Sequence, residues 1–206
     1  MAINDNDIRV RRTKKLLRRG VAELGKTKSI NKITVKELTD LVEINRGTFY
    51  LHYKDVYDLV DSIEDELCEE FDQKVLTVTP DDILQRPVDV LETFFEYFRT
   101  HNDIFNVLMG ENGDAKFVYR FGELMNVKIF ELFDKIFPNM SRERFDFAYN
   151  FGKFGFIGII HCWAMKYPNL SSREIAEKAL SLILEGLWGI LGDEGKEVLI
   201  NAHKSH

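Results

Sequence analysis

Apolar residues recur along this chain at spacings of three and four, the period of helices that bury one face. Val10, Leu17, Val21 and Leu24 mark a first helix from about Asp7 to Gly25. Thr34 followed by Glu37 reads as a capping box that opens a second, very short helix, with Val35, Leu38 and Leu41 pointing inward. "VEIN" then breaks the pattern. A third helix from about Arg46 to Tyr53 places Phe49, Tyr53 and Val56 on one inner face at i, i+4 and i+7. Val56, Val60, Ile63 and Leu67 continue as a fourth helix toward Phe71. After "VTPDD", the stripe Leu84, Val88, Leu91, Phe95 and Phe98 predicts a single fifth helix, and Ile104, Phe105, Leu108 and Met109 a short sixth. Phe117, Phe121, Leu124, Phe133, Ile136 and Phe137 mark a long seventh, ended by Pro138.

The last two segments differ in kind. Between Phe145 and Met165 the chain is apolar on nearly every side, with Gly152, Gly155 and Gly158 forming a close-approach face. After a cap at Ser171 or Ser172, the final helix shows two apolar stripes: Ala176, Leu180, Ile183, Leu187 and Ile190, and beside it Ala179, Leu182 and Gly186. Two helices with more apolar surface than one subunit covers imply a partner subunit. Only 4 prolines, scattered glycines and long stretches of helical period leave little room for strands, so the chain reads as all-α.

Composition sharpens this picture. The 206 residues are 45% hydrophobic and 12% aromatic, enough for a substantial core. Cys68 and Cys162 lie far apart and fit neither a disulfide framework nor a zinc site, which suits a reducing compartment. The N-terminus lacks the apolar segment of a signal peptide, and the most apolar run, between Lys153 and Lys166, is too short to span a bilayer, so a cytoplasmic protein without membrane contact is expected. The net charge of −6 hides an asymmetry, since residues 1–60 carry 13 Lys/Arg against 8 Asp/Glu and the remainder 15 against 26. Arg9, Arg11, Arg12, Lys14, Lys15, Arg18 and Arg19 cluster in the first half of the first helix, where its dipole disfavours cations. Phosphate is the partner that explains them.

Two short helices joined by a tight turn and preceded by a longer one make a helix-turn-helix. With Phe49 and Tyr53 inward, Arg46, Gly47, Tyr50 and Lys54 face outward, and Thr48 and His52 sit on the shoulders. Arg46 offers a bidentate fork for guanine, Thr48 a hydroxyl and a methyl, and Tyr50 a ring with a donor tip. Glycine costs about 1 kcal/mol in a helix interior, a cost explained if the backbone near Gly47 closely approaches another surface.

The stretch "ITVKELTDLVEINRGTFYLHYKDVYDLV" resembles the N-terminal DNA-binding domain of the TetR family of transcriptional repressors over about residues 8–60. The resemblance implies a division into a DNA-binding head, residues 1–54, and a ligand-binding and dimerisation part, residues 55–206. Together with the reading of the residues, it assigns to DNA Arg11, Lys14, Thr34, Val35, Lys36, Asn45, Arg46, Gly47, Thr48, Tyr50, His52, Tyr53 and Lys54. One departure is Val56, where the family usually carries a lysine, which leaves Lys54 and the amide end of the fourth helix to hold the phosphate there. The resemblance also implies a homodimer through the last two helices and a palindromic operator in double-stranded DNA.

No constellation for catalysis, metal or cofactor is present in the sequence: there is no nucleophile elbow, phosphate loop or H-E-x-x-H. His161 and Cys162 are adjacent inside the most apolar helix, where a core histidine is expected, and His203 and His206 are expected to be solvated. The family's members commonly hold an inducer in the C-terminal part. The corresponding candidate lining for an apolar or aromatic effector is Phe95, Phe98, Phe105, Met109, Phe121, Phe151 and Phe154, with Tyr119, Asn150 or His161 as polar contacts. The alternative is the same head under the control of a partner protein, as in the branch that includes activators of dihydroxyacetone utilisation.

Overall fold

The computed structural model describes residues 8–110 and 113–184, and among these every regular element is helical. The helices are α1 (Ile8–Gly25), α2 (Val35–Leu41), α3 (Arg46–His52), α4 (Val56–Lys74), α5 (Pro80–Gln85), α6 (Pro87–Thr100), α7 (Asn102–Leu108), α8 (Ala115–Ile136) and α9 (Arg142–Lys166), with a 3-10 turn at Ile30–Lys32. A further helix, α10, runs over residues 172–184 to the limit of the described chain. The expected contributions of Gly186, Leu187 and Ile190, and those of His203 and His206, lie outside the described residues.

Local chemistry sets the helix starts. Thr34 accepts from the Glu37 amide while the Glu37 carboxylate receives the Thr34 amide, the reciprocal capping box read from the sequence. Thr79 and Asp82 repeat the arrangement at α5, with Pro80 in the first turn. Ser171 and Glu174 repeat it at α10. The expected single helix through Leu84 and Phe98 is instead two, α5 and α6. Pro87 has no N–H to donate and its ring would crowd the preceding turn, so the chain breaks at Arg86 and restarts with proline in a first-turn position.

The chain forms two compact units: Met1–Glu70 with His101–Gly122, and Phe71–Thr100 with Glu123–His206. In the first, Leu17, Leu38, Phe49, Leu59, Leu67, Leu108 and Phe117 are fully buried. Truncating such a ring or branched chain to Ala costs about 2–5 kcal/mol. α7 lies against α1 so closely that a Cβ on Gly25 would stand 2.2 Å from Val107 Cγ1, a separation no side chain tolerates. Arg18 Nη2 lies 2.7 Å from His101 Nδ1, a second link between α1 and the start of α7. Leu41, expected inward, is 46% exposed; at the last position of so short a helix, the core contact passes to Leu38 and the buried Thr39.

Glu64 is the buried anomaly of this unit. It is 1% exposed on α4, its carboxylate 3.5 Å from Arg120 Nη2, and neither of its oxygens has a hydrogen-bond partner. Arg120 Nη1 donates instead to Asp65 Oδ1 at 2.7 Å. Burial, reinforced by the Asp114 charge and opposed by Arg120, pushes the Glu64 carboxyl up to about 7.

The second unit is built on rings. Phe71 packs edge-on against Phe94, Tyr97 and Phe98, and Phe95 packs against Phe156 and Trp163. Ser172 donates to Glu96 Oε2 at 2.5 Å and Arg173 pairs with Asp89 and Glu92, which fixes α10 on α6. α9 buries Phe145, Ala148, Tyr149 and Trp163, while Phe147, Phe151, Phe154, Ile157 and Met165 are exposed. Gly155 and Gly158 have nothing within 4 Å of where a Cβ would stand. His161, expected in the core, lies on this exposed side, because an all-apolar helix leaves its sidedness to its neighbours.

Candidate nucleic-acid interface

α2 and α3 are seven residues each, too short to be stable alone, and both are held by the core beneath them. Between them the Ile44 amide donates to the Thr39 carbonyl at 3.0 Å, closing the end of α2 in a Schellman turn. That turn needs a left-handed residue, and Glu43 supplies it at φ 56° in a position where glycine is usual.

α3 starts at Asn45, whose Oδ1 accepts from the Gly47 amide at 2.7 Å. A Cβ on Gly47 would stand 3.1 Å from that oxygen and meet nothing else. Gly47 is thus a second-position residue beside its own cap and not a helix-interior residue, and its outer side is open. Phe49 and Tyr53 are buried, Arg46, Gly47, Tyr50 and Lys54 are exposed, and Thr48 and His52 are half-buried, as the periodicity implies. The Tyr50 ring stands edge-on to Phe49 at 5.5 Å, so its position is defined from beneath. Leu51, which the sequence reading passes over, is 68% exposed.

The remaining expected contacts are distributed around this helix. Arg11, Thr34 and Lys36 are exposed, Val35 is half-buried, and Lys14 is partly engaged by Glu66 at 3.9 Å. Lys28 donates to Glu37 at 2.6 Å and, with Thr34, holds that carboxyl down to about 2, so this acid is paired with a cation. Tyr53 is withdrawn from the set: one turn past Phe49 on the same inward stripe, it is only 7% exposed. At the start of α4 two backbone amides are already engaged by carboxylates. The Lys54 amide donates to Asp58 Oδ2 and the Asp58 amide to Asp55 Oδ1, both at 2.9 Å. Val56 is buried, and the exposed neighbour is Tyr57, whose hydroxyl donates to the Asn31 carbonyl at 3.3 Å. Asp55 and Asp58 thus take two of the amides near the place where the sequence suggested a phosphate.

The candidate effector-lining residues fall into three groups. Phe105 and Phe121 pack with Phe117 in the first unit, beside the half-buried Met109. Phe95 and Phe98 belong to the ring cluster of the second. Phe151 and Phe154 are 59% and 66% exposed, and the suggested polar partners Tyr119, Asn150 and His161 are exposed as well. Among the described residues no group of His, Cys, Asp or Glu is arranged to hold a metal, and no helix is long and apolar enough to cross a membrane.

Residues 85–185 match the family model TetR_C_8, a transcriptional regulator C-terminal region. No curated protein matches the sequence. Among solved structures, the fold is similar to a tetR-family transcriptional regulator from Streptomyces coelicolor, at 12% identity and a TM-score of 0.66 over 99% of this chain and 90% of that one. It is similar to the transcriptional regulator FadR from Bacillus subtilis, solved with stearoyl-CoA, at 14% identity and a TM-score of 0.59 over 84% and 99% of the two chains. The dihydroxyacetone kinase operon activator DhaS matches at 15% identity and a TM-score of 0.53 over 84% and 95%.

Proposed function

Because the chain belongs to the TetR family of transcriptional regulators, a family without enzymatic activity, we propose that it represses transcription by binding an inverted-repeat operator as a homodimer. Residues 1–54 act as the head that reads DNA and residues 55–206 as the part that pairs and receives the signal. The observation that carries this reading is α3, which turns Arg46, Gly47, Tyr50 and Lys54 outward from a fully buried Phe49. Pairing through the last two helices is supported by the open apolar face of α9, where Phe151, Phe154, Ile157 and Met165 stand exposed. A contiguous face of this kind is costly in water and marks an interaction surface.

Release by an apolar or aromatic effector is supported by the ring-rich interior and by the likeness to a FadR that was solved with stearoyl-CoA. A second reading keeps the head and puts a partner protein in the place of the small molecule. Two observations favour it: within their own units the buried candidate rings are already packed by other rings, Phe105 on Phe121 and Phe95 and Phe98 each on Phe94, and the fold is similar to the DhaS activator. Selection of bound fragments from a genomic DNA pool by the full chain tests the common core of both. Recovery of an inverted repeat with half-site centres about 34–36 Å apart, or a multiple, is expected. Recovery of no enriched sequence, or of asymmetric sites by a monomer, would overturn it.

A further inference from the structure

At about 100° per residue, Gly47 and Leu51 lie about 160° and 200° round α3 from Phe49, on the pole opposite the core. Tyr50 and Thr48 flank that pole. The outermost ridge of the reading helix therefore consists of a residue without a side chain and, one turn later, a leucine that is 68% exposed. A single exposed leucine ordinarily carries no meaning. This one occupies the position of closest approach on a helix whose exposed surroundings include the cations Arg46 and Lys54, in a unit whose basic α1 also presents Arg11 and Arg12 to solvent. Those charges favour a polyanion as the occupant of this face and disfavour an apolar protein surface.

We propose that Leu51 is a specificity residue that reads a thymine by packing on its 5-methyl group. This rests on the reading that α3 enters the major groove. In that groove the thymine methyl is the apolar feature available to a leucine, and cytosine at the same place presents an amine donor without a methyl. The helix spans roughly 10 Å, short enough for both its turns to lie within a groove about 12 Å wide. The bare backbone at Gly47 removes the obstacle that a side chain there would place before Leu51 reaches the floor. Arg46 and Tyr50 then supply polar contacts to one side, and Leu51 supplies the apolar one.

The test uses the full chain and the operator recovered by selection. Each thymine in the half-site is replaced in turn by deoxyuridine, symmetrically in both half-sites, which removes the methyl and preserves base pairing. Dissociation constants are measured for the native chain and for Leu51→Ala. One thymine position should show a loss of about three- to fourfold per half-site, the worth of burying one methyl group. Leu51→Ala, whose exposed site leaves the core untouched, should bind the parent operator more weakly and show no difference between thymine and uracil at that position. Native binding with no methyl-sensitive position, or sensitivity retained in Leu51→Ala, overturns the assignment of Leu51 alone. Failure to bind any duplex overturns it together with the DNA-binding reading.

Discussion

Replacement of Glu64 by Gln should make the protein more stable in mild alkali than the native chain, and by an amount set by the burial of one carboxyl. Ionisation of Glu64 is resisted in the fold, where burial and Asp114 raise its carboxyl from 4.5 to about 7. A raised carboxyl contributes stability that is complete below its unfolded pKa and is lost as pH rises through the folded value. The window is therefore from about pH 4.5 to about 7. A shift of one pKa unit corresponds to about 1.4 kcal/mol, so the loss between pH 5 and pH 8.5 amounts to roughly 2–3 kcal/mol. Gln does not titrate and keeps the shape. Urea unfolding of both chains at pH 5 and pH 8.5, at one protein concentration, should show the difference between them moving by that amount in favour of the variant. At about 2–4 °C per kcal/mol for a chain of this size, the melting temperatures should diverge by roughly 5–10 °C over the same range. Parallel pH profiles for the two chains would refute the reasoning and mean that the Arg120 guanidinium, 3.5 Å away, compensates the buried charge in full.

Arg46→Ala should weaken operator binding by about 1–3 kcal/mol and relax the preference at one base pair, whereas Lys54→Ala should weaken all sequences alike and flatten the salt dependence; competition binding across a base-substitution series separates the two. Glu43→Gly should stabilise the chain by about 0.5–1 kcal/mol in urea unfolding, because relief of left-handed strain exceeds the added entropy of the unfolded glycine. Phe154→Asp, on the exposed face of α9, should yield a folded monomer by sedimentation, with unchanged helicity and operator affinity reduced at least tenfold; an intact dimer would remove α9 from the pairing surface.

Much of the head is legible in the sequence because its signals are short-range. Thr34 and Glu37 satisfy each other's backbone amides across three residues, and Phe49, Tyr53 and Val56 define a core face that fixes where Arg46, Tyr50 and Lys54 must point. Leu51 was open to the same geometry, at the far pole from Phe49, but its apolar character hides it from a search for polar readers of DNA. The split at Pro87 is hidden for another reason: the stripe from Leu84 to Phe98 keeps its period straight through the break, and the missing amide decides against it. The α9 segment could not be read at all for sidedness. When apolar residues surround a helix, nothing in their spacing says that Trp163 goes in while Phe151, Phe154 and His161 stay out. The engaged Lys54 amide before α4 depends on Asp58 folding back onto it, a contact that spacing permits and does not require.

The close fit of Val107 over Gly25 bears on how such a regulator can be rewired. Engineers exchange sensing modules by cutting between a recognition portion and the rest, and here the natural cut would be after residue 54. The underside of α1 is shaped for α7, with no room for even one methyl at Gly25, and Arg18 reaches His101 beside it. A transplanted head would carry that imprint to a host that lacks the matching valine and histidine. A working hybrid must therefore bring residues 101–122 along with the head or rebuild their imprint in the recipient, so the portable part of this protein is a discontinuous one.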